Sequence, residues 1–439
     1  MNRAPAAVDA SVTAHDSARA ANCQLAPGRF AVLLLELVAL LVVFRLYRLH
    51  ELIGDGFYTV SAIGVGAFAL HYWLPYRLKE PFFIAVSIGA LPAVFGPTVA
   101  IATVAAALVV YAVGCARSNK TRVALLLAFA ALCVAGRLGA LRWLPEELWP
   151  LLGSLFLFRL PIWAYDRAHL RGRPSLRDYL AYFFQLPNWG CLLFPVVDFQ
   201  TQRKSFLARD QNDIAQRGIA WMARGLLQLV VYTWLYNARD WYPDPYLIDD
   251  PLALALCMVR VYLLYLRLSG TFHFVIGLLH LFGYDLPETH RRWLLASSFT
   301  DFWRRINIYW KDFMVKLVWF PAFFRWRRSG ERRAQLLATA LVFVVTWFLH
   351  AAQTFFATGE FLWRGTDLAF WGILGALVVV NLAYELRPAG APRAAPLSGP
   401  ARFARVAGTA ALLVVLWSMW NAPTFGEWFD LLSWWNARG

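Results

Sequence analysis

Long apolar segments follow one another along almost the whole chain, and they restrict the possible folds more than any other feature of the sequence. From Phe30 onward they approach the ~20 residues that cross a bilayer as a helix, and the breaks between them are short. Apolar residues fill 59% of the 439 positions and charged residues only 16%, against roughly a quarter in soluble domains. A soluble protein could not bury so much apolar surface. The sequence excludes a soluble enzyme, a disordered chain and a disulfide-rich secreted module.

The segments predict an all-α polytopic transmembrane protein with roughly ten to twelve spans. Re-entrant or interfacial helices are expected beside them, around a central chamber. The predicted spans are 30–47, 57–74, 82–113 (long enough for two, with a break at Pro97), 122–143, 147–165, 217–236, 252–283, 334–357, 367–386 and 404–421. Residues 1–29 are expected to form a disordered tail and 30–175 the N-terminal helices. A core over 176–386 and a C-terminal part over 387–439 follow.

The chain is basic, with 42 Lys and Arg against 27 Asp and Glu and a net charge of +15. In a membrane protein this excess is typical of loops held on the cytoplasmic side, where they meet anionic headgroups, so membrane lipids are the expected partners and nucleic acid is not. Basic loops at 325–333 and 387–405 are predicted to be cytoplasmic. The loops 237–250 and 358–366 and the C-terminal segment are predicted to lie outside.

No motif of the common soluble enzyme classes is present. The five cysteines are scattered and lack a CxxC spacing, so neither a zinc site nor a disulfide framework is predicted. There is no GxxxxGK[ST] phosphate loop and no GxSxG nucleophile turn. His273 and His280 could share a helical face, but two histidines without a carboxylate are weak evidence for a metal, and no metal site is predicted.

Two hydrophobic stretches do not resemble simple spans. The first, 176–199, carries Pro187, Asn188, Gly190 and Pro195 among aromatic residues, which predicts a broken or re-entrant segment whose free backbone groups are buried in protein or face water. The second, 297–326, is too charged to face lipid and too aromatic for a solvated loop. It is expected to form a helix buried in a polar cavity or lying at the membrane interface.

His350 is the clearest candidate for chemistry, because ionisable residues inside spans are rare and often functional. It is the one ionisable residue between Ala334 and Ala357. At ~1.5 Å per residue it lies roughly 24 Å along its helix from Ala334. A neutral imidazole there could act as a general base for a hydroxyl proton. The alternative is a histidine that hydrogen-bonds a neighbouring helix.

Three pieces of sequence together resemble the membrane-bound O-acyltransferase family (MBOAT), in particular its bacterial branch related to alginate O-acetylase. These are GYDLP at 283–287, then SFTDFWRR at 298–305, then His350 in an apolar helix. The stretch around Phe194 and Pro195 is similar to the Phe-Pro stretch of that family. The resemblance covers roughly 180–385, and the FWRR run followed by the histidine is its most specific part.

The resemblance implies roles for single residues. His350 matches the family's catalytic histidine, and Asn307 matches its second polar residue, which is His in alginate O-acetylase-like members and Asn in many eukaryotic ones. Arg304 and Arg305 could receive phosphates of the donor, because guanidinium groups suit phosphate; the alternative is that they anchor an interfacial helix. His273 stands where the bacterial relatives usually have Asp.

The implied activity is transfer of an acyl group, in the first instance acetyl, from a thioester to a hydroxyl of a polysaccharide or other cell-envelope acceptor. Acyl-CoA or an acyl-carrier thioester would be the donor, and no permanently bound cofactor is expected. A carrier protein or an envelope transferase could be a partner, and a bacterial inner membrane is the expected location. A lipid or small-metabolite acceptor, a transporter and a non-enzymatic scaffold are the alternatives.

Overall fold

The protein is an all-α polytopic membrane protein, as the sequence predicts. A computed structural model describes residues 16–116, 118–169, 174–192, 195–237, 248, 250–361, 363–387, 399–433 and 435. Helices dominate these ranges, in which extended pairing is limited to one isolated bridge, Phe206 with Tyr284. Seven helical segments of the described chain are long and apolar enough to cross a membrane. They are Leu91–Gly114, Asn119–Arg137, Leu148–His169, Pro251–Leu281, Glu331–Thr358, Gly365–Glu385 and Gly399–Asn421.

The chain divides into two compact units. The first unit consists of Met1–Val230 and Gly270–Pro287, and the second of Val231–Ser269 and Glu288–Gly439. The predicted core over 176–386 is therefore shared between the units, although Arg304, Arg305, Asn307 and His350 all belong to the second. The predicted central chamber stays a prediction.

In the described part of the first unit, a short helical stretch over residues 16–21 precedes the named helices. They are α1 (Pro27–Leu46), α2 (Leu49–Ile53), α3 (Asp55–His71), α4 (Tyr76–Gly89), α5 (Leu91–Gly114), α6 (Asn119–Arg137), α7 (Leu148–Phe156), α8 (Arg159–His169), α9 (Leu176–Phe183) and α10 (Phe199–Ser205). Most of α11 (Gln211–Asn237) and α13 (Leu266–Leu281) also belongs to this unit. Short polar side chains start several of these helices; Ser118, for example, accepts a hydrogen bond from the backbone N–H of Thr121, as expected of an N-cap.

The second unit contains α12 and the helices that follow residue 298. They are α12 (Pro251–Leu263), α14 (Phe299–Arg305), α15 (Ile308–Met314), α16 (Phe320–Trp326), α17 (Glu331–Thr358), α18 (Gly365–Glu385), α19 (Gly399–Asn421) and α20 (Phe425–Leu432). The predicted single helix over 297–326 is wrong: the segment forms α14 and α15, a π-helical turn over Val315–Trp319, and then α16. The break between α14 and α15 falls at Asn307, whose φ of 37° is incompatible with a right-handed helix.

The predicted spans map onto helices with shifted boundaries. Span 82–113 forms α4 and α5, and α5 is kinked at Gly96, which has φ 79° immediately before Pro97. The kink arises because a proline disfavours helical backbone at the preceding residue, so the predicted break at Pro97 is confirmed. Spans 30–47 and 217–236 correspond to α1 and α11, which lie outside the set of seven.

The predicted disordered tail differs from the structure after residue 15. Asn22 donates its side-chain amide to the carbonyl oxygen of Leu207 (2.8 Å), and Arg29 forms an ion pair with Asp213 (2.8 Å). These contacts hold residues 16–29 to the start of α11, which apolar patterning alone does not predict. Residues 1–15 lie outside the described residues, as do Phe194 and most of the predicted loops 237–250 and 387–405.

Two pairs of glycines bring the backbones of α11 and α13 into direct contact. A Cβ atom at Gly225 would lie 2.5 Å from the carbonyl oxygen of Gly270, and one at Gly218 would lie 2.6 Å from that of Gly277. Because the earlier glycine of one helix meets the later glycine of the other, the two helices run antiparallel. Small residues at such positions allow helices in membranes to approach closely.

The prediction of a broken, buried segment over 176–199 is confirmed in the described part of that range. Helix α9 ends at Phe183, and a 3₁₀ turn over Leu186–Trp189 follows in which all four residues are buried. Gly190 lies against the backbone of α3, where an added Cβ would be 2.7 Å from the Cα of Phe57. The indole N–H of Trp189 donates to the carbonyl oxygen of Ser87 (2.6 Å), so a protein group is the partner of this buried donor.

Candidate functional site

His350 lies on α17 and faces aromatic side chains of three other helices. Its ring centroid is 5.5 Å from Trp310 of α15, 4.7 Å from Trp371 of α18 and 6.2 Å from Trp420 of α19. The side chain is partly exposed. Within the described residues, no hydrogen bond is made by either ring nitrogen. The ring is therefore turned towards protein neighbours and keeps both nitrogens for a bound group.

Asn307 forms the corner between α14 and α15. Its backbone is left-handed (φ 37°, ψ 64°), a conformation that asparagine tolerates better than most residues. Its side-chain Oδ1 accepts a hydrogen bond from the backbone N–H of Trp310 (3.3 Å) and so caps α15. Because a backbone N–H must meet the oxygen of the amide, the Nδ2 group keeps its two donors for another partner.

Trp310 joins the two candidate residues. Its backbone is capped by Asn307, its ring contacts His350, and its indole N–H donates to Thr346 Oγ1 (3.3 Å). Thr346 is fully buried one turn before His350 on α17. His350 and Asn307, the two residues predicted from the sequence, thus belong to one cluster in the second unit, and both contact Trp310.

The loop over residues 289–291 holds the corner at Asn307 in place, and the sequence analysis did not predict it. The carbonyl oxygen of Thr289 accepts from the N–H of Ile308 (2.8 Å), and the N–H of Arg291 donates to the carbonyl oxygen of Arg305 (3.0 Å). Between them His290 is buried and its Nε2 lies 2.9 Å from the hydroxyl oxygen of Tyr265. Backbone hydrogen bonds are independent of residue type, which is why the pattern of side chains did not indicate them.

The two predicted phosphate-binding arginines each face a carboxylate. Arg305 pairs with Asp301 one turn earlier (2.6 Å), and Arg304 pairs with Glu385 at the end of α18 (2.9 Å). Arg304 remains 58% exposed, whereas Arg305 is only 21% exposed. Arg305 is therefore held in a structural ion pair, and of the two arginines Arg304 is the one that a ligand could reach.

Asp301 also closes the N-terminus of α14. Ser298, the N-cap, accepts a hydrogen bond from the N–H of Asp301, and Asp301 accepts one from the N–H of the preceding residue Ser297 (3.0 Å). Burial alone would raise the pKa of Asp301. The hydrogen bonds from Arg305 and Ser297 outweigh burial and hold the pKa of Asp301 below its ordinary value.

The GYDLP motif forms a turn in the first unit that binds the chain around residue 206. Gly283 has φ 87°, which suits glycine, and its carbonyl oxygen accepts from the N–H of Leu207 (2.7 Å). The carboxylate of Asp285 pairs with Arg209 (2.8 Å) and Arg217 (2.7 Å). These contacts give the motif a structural role within its unit.

A buried polar network in the first unit was also missed. Arg159 is 2% exposed and donates to the carbonyl oxygen of Phe183 (3.1 Å) and to the side-chain oxygens of Gln185 (3.3 Å) and Asn188 (3.4 Å). Gln185 in turn donates to Gln202 (2.5 Å). A charged residue between two apolar segments, followed by QLPN in the broken stretch, is the sequence feature that could have indicated it.

The two histidines of α13 make separate contacts. His273 Nδ1 lies 3.1 Å from Gln228 Oε1, and His280 Nδ1 lies 2.8 Å from the carbonyl oxygen of Ile276. Over the described part of the chain, no group of three or more His, Cys, Asp or Glu residues could hold a metal ion.

No known protein family and no curated protein matches this chain.

Proposed function

We propose that this protein is a membrane O-acyltransferase that moves an acyl group, in the simplest case acetyl, from a thioester to a hydroxyl, with His350 as the general base. The proposal is supported above all by the placement of His350 and Asn307 around Trp310, because a base and a carbonyl-binding amide must lie close together to serve one reaction. The motif residues that resemble the MBOAT family support it independently.

The reaction follows from the chemistry of these groups. An imidazole nitrogen of His350 takes the proton of the acceptor hydroxyl, and the oxygen attacks the carbonyl carbon of the thioester. The Nδ2 group of Asn307 donates a hydrogen bond to the carbonyl oxygen, where negative charge develops. The C–S bond then breaks, and the leaving sulfur takes the proton from the imidazolium, which yields an ester and a free thiol.

The position of Arg304 indicates the kind of donor. Arg304 pairs with Glu385, whereas His350 contacts Trp371, which lies 14 residues earlier on α18. At ~1.5 Å per residue the two contacts are about 21 Å apart along the helix. A donor whose phosphates meet Arg304 must therefore carry its thioester on a long arm, as acyl-CoA and acyl-phosphopantetheine do. We propose a polysaccharide or cell-envelope hydroxyl as the acceptor, in a bacterial inner membrane.

Thiol release by purified protein tests the proposal. The protein in lipid nanodiscs, given acetyl-CoA and a hydroxyl acceptor, is expected to release free CoA, and His350→Gln is expected to lower the rate by at least ~100-fold, the usual contribution of a general base. His169→Gln is the matched control, since His169 is exposed and bonds its own helix. Equal rates for wild type and His350→Gln, or uptake of a substrate into vesicles with no thiol release from any donor, would contradict it.

A further inference from the structure

Exposed aromatic rings and exposed arginines lie side by side at the turn before α17. We name this surface the aromatic–basic cap; it consists of Phe320, Phe324, Arg325, Arg327 and Arg328. Phe320 and Phe324 are 44% and 53% exposed, and the three arginines are also exposed. Nothing in the proposed acyl transfer uses these side chains.

The backbone of this region determines which rings face outward. The π-helical turn over Val315–Trp319 leads into α16, and the indole N–H of Trp319 donates to Thr339 Oγ1 of α17 (3.2 Å). Trp319 stacks on Phe323 with centroids 4.9 Å apart, on the side that packs within the protein. Phe320 and Phe324 pack edge-on against these two rings, stack on each other with centroids 6.0 Å apart, and form the exposed side of the aromatic cluster.

The charge of the cap is not compensated locally. Residues 325–333 contain five arginines and one acidic residue, Glu331. In the described ranges, no ion pair joins Arg325, Arg327 or Arg328 to a carboxylate. The cap differs in this respect from Arg304 and Arg305, both of which are paired. Arg327 lies over the ring of Phe324 at 5.4 Å, so the charged and apolar parts adjoin directly.

A ligand for this surface must be apolar at one end and anionic at the other. We infer that the aromatic–basic cap binds an anionic phospholipid, with the phosphate of the headgroup at the arginines and the acyl chains along Phe320 and Phe324. Membrane electrostatics favours such a ligand, because basic clusters beside a bilayer attract anionic lipids. A free phosphate would satisfy the arginines but would leave both rings exposed to water.

Lipid retention by the intact protein tests the inference. The protein is reconstituted in nanodiscs that contain phosphatidylcholine and phosphatidylglycerol, then released, and the lipids that stay bound are counted by native mass spectrometry. Wild type is expected to retain phosphatidylglycerol in preference. Each basic residue at an anionic surface contributes roughly fivefold, so R327Q/R328Q is expected to weaken the preference on the order of 25-fold.

The control variant is R402Q/R405Q, which removes the same charge from two exposed arginines in the first turns of α19. It is expected to retain the preference, and F320S/F324S is expected to lose bound lipid. An equal effect of the two arginine pairs, no effect of either pair, or displacement of phosphatidylglycerol by inorganic phosphate would overturn the inference. None of these measurements depends on acyl transfer.

Discussion

At the scale of single residues, aromatic rings rather than hydrogen bonds surround the candidate base. A histidine held by a carboxylate has a fixed tautomer, because one nitrogen must donate. His350 has indole rings on three helices as its neighbours instead. Either of its nitrogens is therefore available to take a proton, which the proposed acyl transfer requires of the base.

Substitutions at Asn307 should separate its structural role from its proposed catalytic one. Asn307→Ala removes the side-chain cap of α15 and places alanine, which disfavours left-handed backbone, at φ 37°. The substitution should therefore lower the free energy of unfolding by about 2 kcal/mol. Asn307→Asp keeps the acceptor and loses the amide donor, so it should stay folded and lose acyl transfer. Thermal unfolding and thiol release measure the two effects. Wild-type activity of Asn307→Asp would remove the amide from the mechanism.

The depressed pKa of Asp301 predicts a loss of stability in acid. The unfolded chain takes up a proton at Asp301 at a higher pH than the folded protein does. The ion pair with Arg305 and the hydrogen bond from Ser297 therefore stabilise the fold above the ordinary aspartate pKa of about 4. This contribution is lost as the pH falls through the folded pKa. Thermal unfolding against pH should therefore be steeper below pH ~4 for wild type than for Asp301→Asn. Parallel curves for the two proteins would contradict the prediction.

Residue patterns predicted which side chains are candidates, but not the contacts that connect them. His350 could be found because no other ionisable residue shares its apolar helix, and Asn307 because of its place after FWRR. The cap on Trp310 and the hydrogen bonds from Thr289 and Arg291 could not be predicted, because they depend on a left-handed backbone and on main-chain groups.

At the scale of helices, the contact between α11 and α13 should tolerate no added methyl group. Gly225→Ala places Cβ 2.5 Å from the carbonyl oxygen of Gly270, so the helices must separate, which should cost about 1–3 kcal/mol. Gly66→Ala in α3 is the control, since nothing lies within 4 Å, and it should be neutral or stabilise by up to about 1 kcal/mol. Unfolding in detergent compares them, and equal midpoints would argue against close contact.

Lys79 makes the junction of α3 and α4 sensitive to pH. Its buried ammonium donates to the carbonyl oxygens of His71 (2.7 Å) and Tyr72 (3.1 Å) at the end of α3. Burial lowers the pKa of Lys79 to about 8, an effect that nearby Cys23 partly opposes. Above pH 8 the unfolded chain binds the proton more tightly, so the stability contributed by Lys79 rises with pH up to its ordinary pKa of about 10.4.

The substitution Lys79→Met tests the predicted direction of this change of stability with pH. The stability difference between wild type and Lys79→Met should increase in favour of wild type as the pH is raised above 8. Thermal unfolding in detergent at several pH values on either side of 8 measures it. A difference that stays constant, or that shrinks with rising pH, would show that the ammonium is not disfavoured by burial.

Helix breaks were predicted where the sequence contains Pro and Gly together, and were missed elsewhere. Gly96 before Pro97 and the QLPNWG stretch were both identified from composition. The break at Asn307 has no proline or glycine beside it, whereas the π-helical turn over Val315–Trp319 precedes Pro321, which has no N–H to bond the carbonyl oxygen of Leu317. Backbone hydrogen bonds with Thr289 and Arg291 hold the corner at Asn307, and side-chain patterns do not predict them. The π-helical turn has a local cause in Pro321, which the sequence analysis did not use.

At the scale of the whole molecule, loop charges predict the orientation in the membrane. Residues 325–333 should be cytoplasmic and the segment with Glu427 should be outside. In a variant with Cys23 and Cys115 replaced by Ser, Arg328→Cys should react with an impermeant thiol reagent only in inverted vesicles, and Glu427→Cys only in intact cells. Both positions are exposed. Labelling of both from the same side would contradict the predicted alternation.

The π-helical turn over Val315–Trp319 determines which way the side chains of the following helical residues face around the helix axis. A π-helical turn is equivalent to one residue inserted into an α-helix, and one residue corresponds to a rotation of about 100°. Deleting a single residue there would let the chain return to regular α-helical winding. Phe320 and Phe324 would then rotate towards α17, and Trp319 and Phe323 would turn outward, so a single deletion would change which aromatic rings this end of the protein exposes.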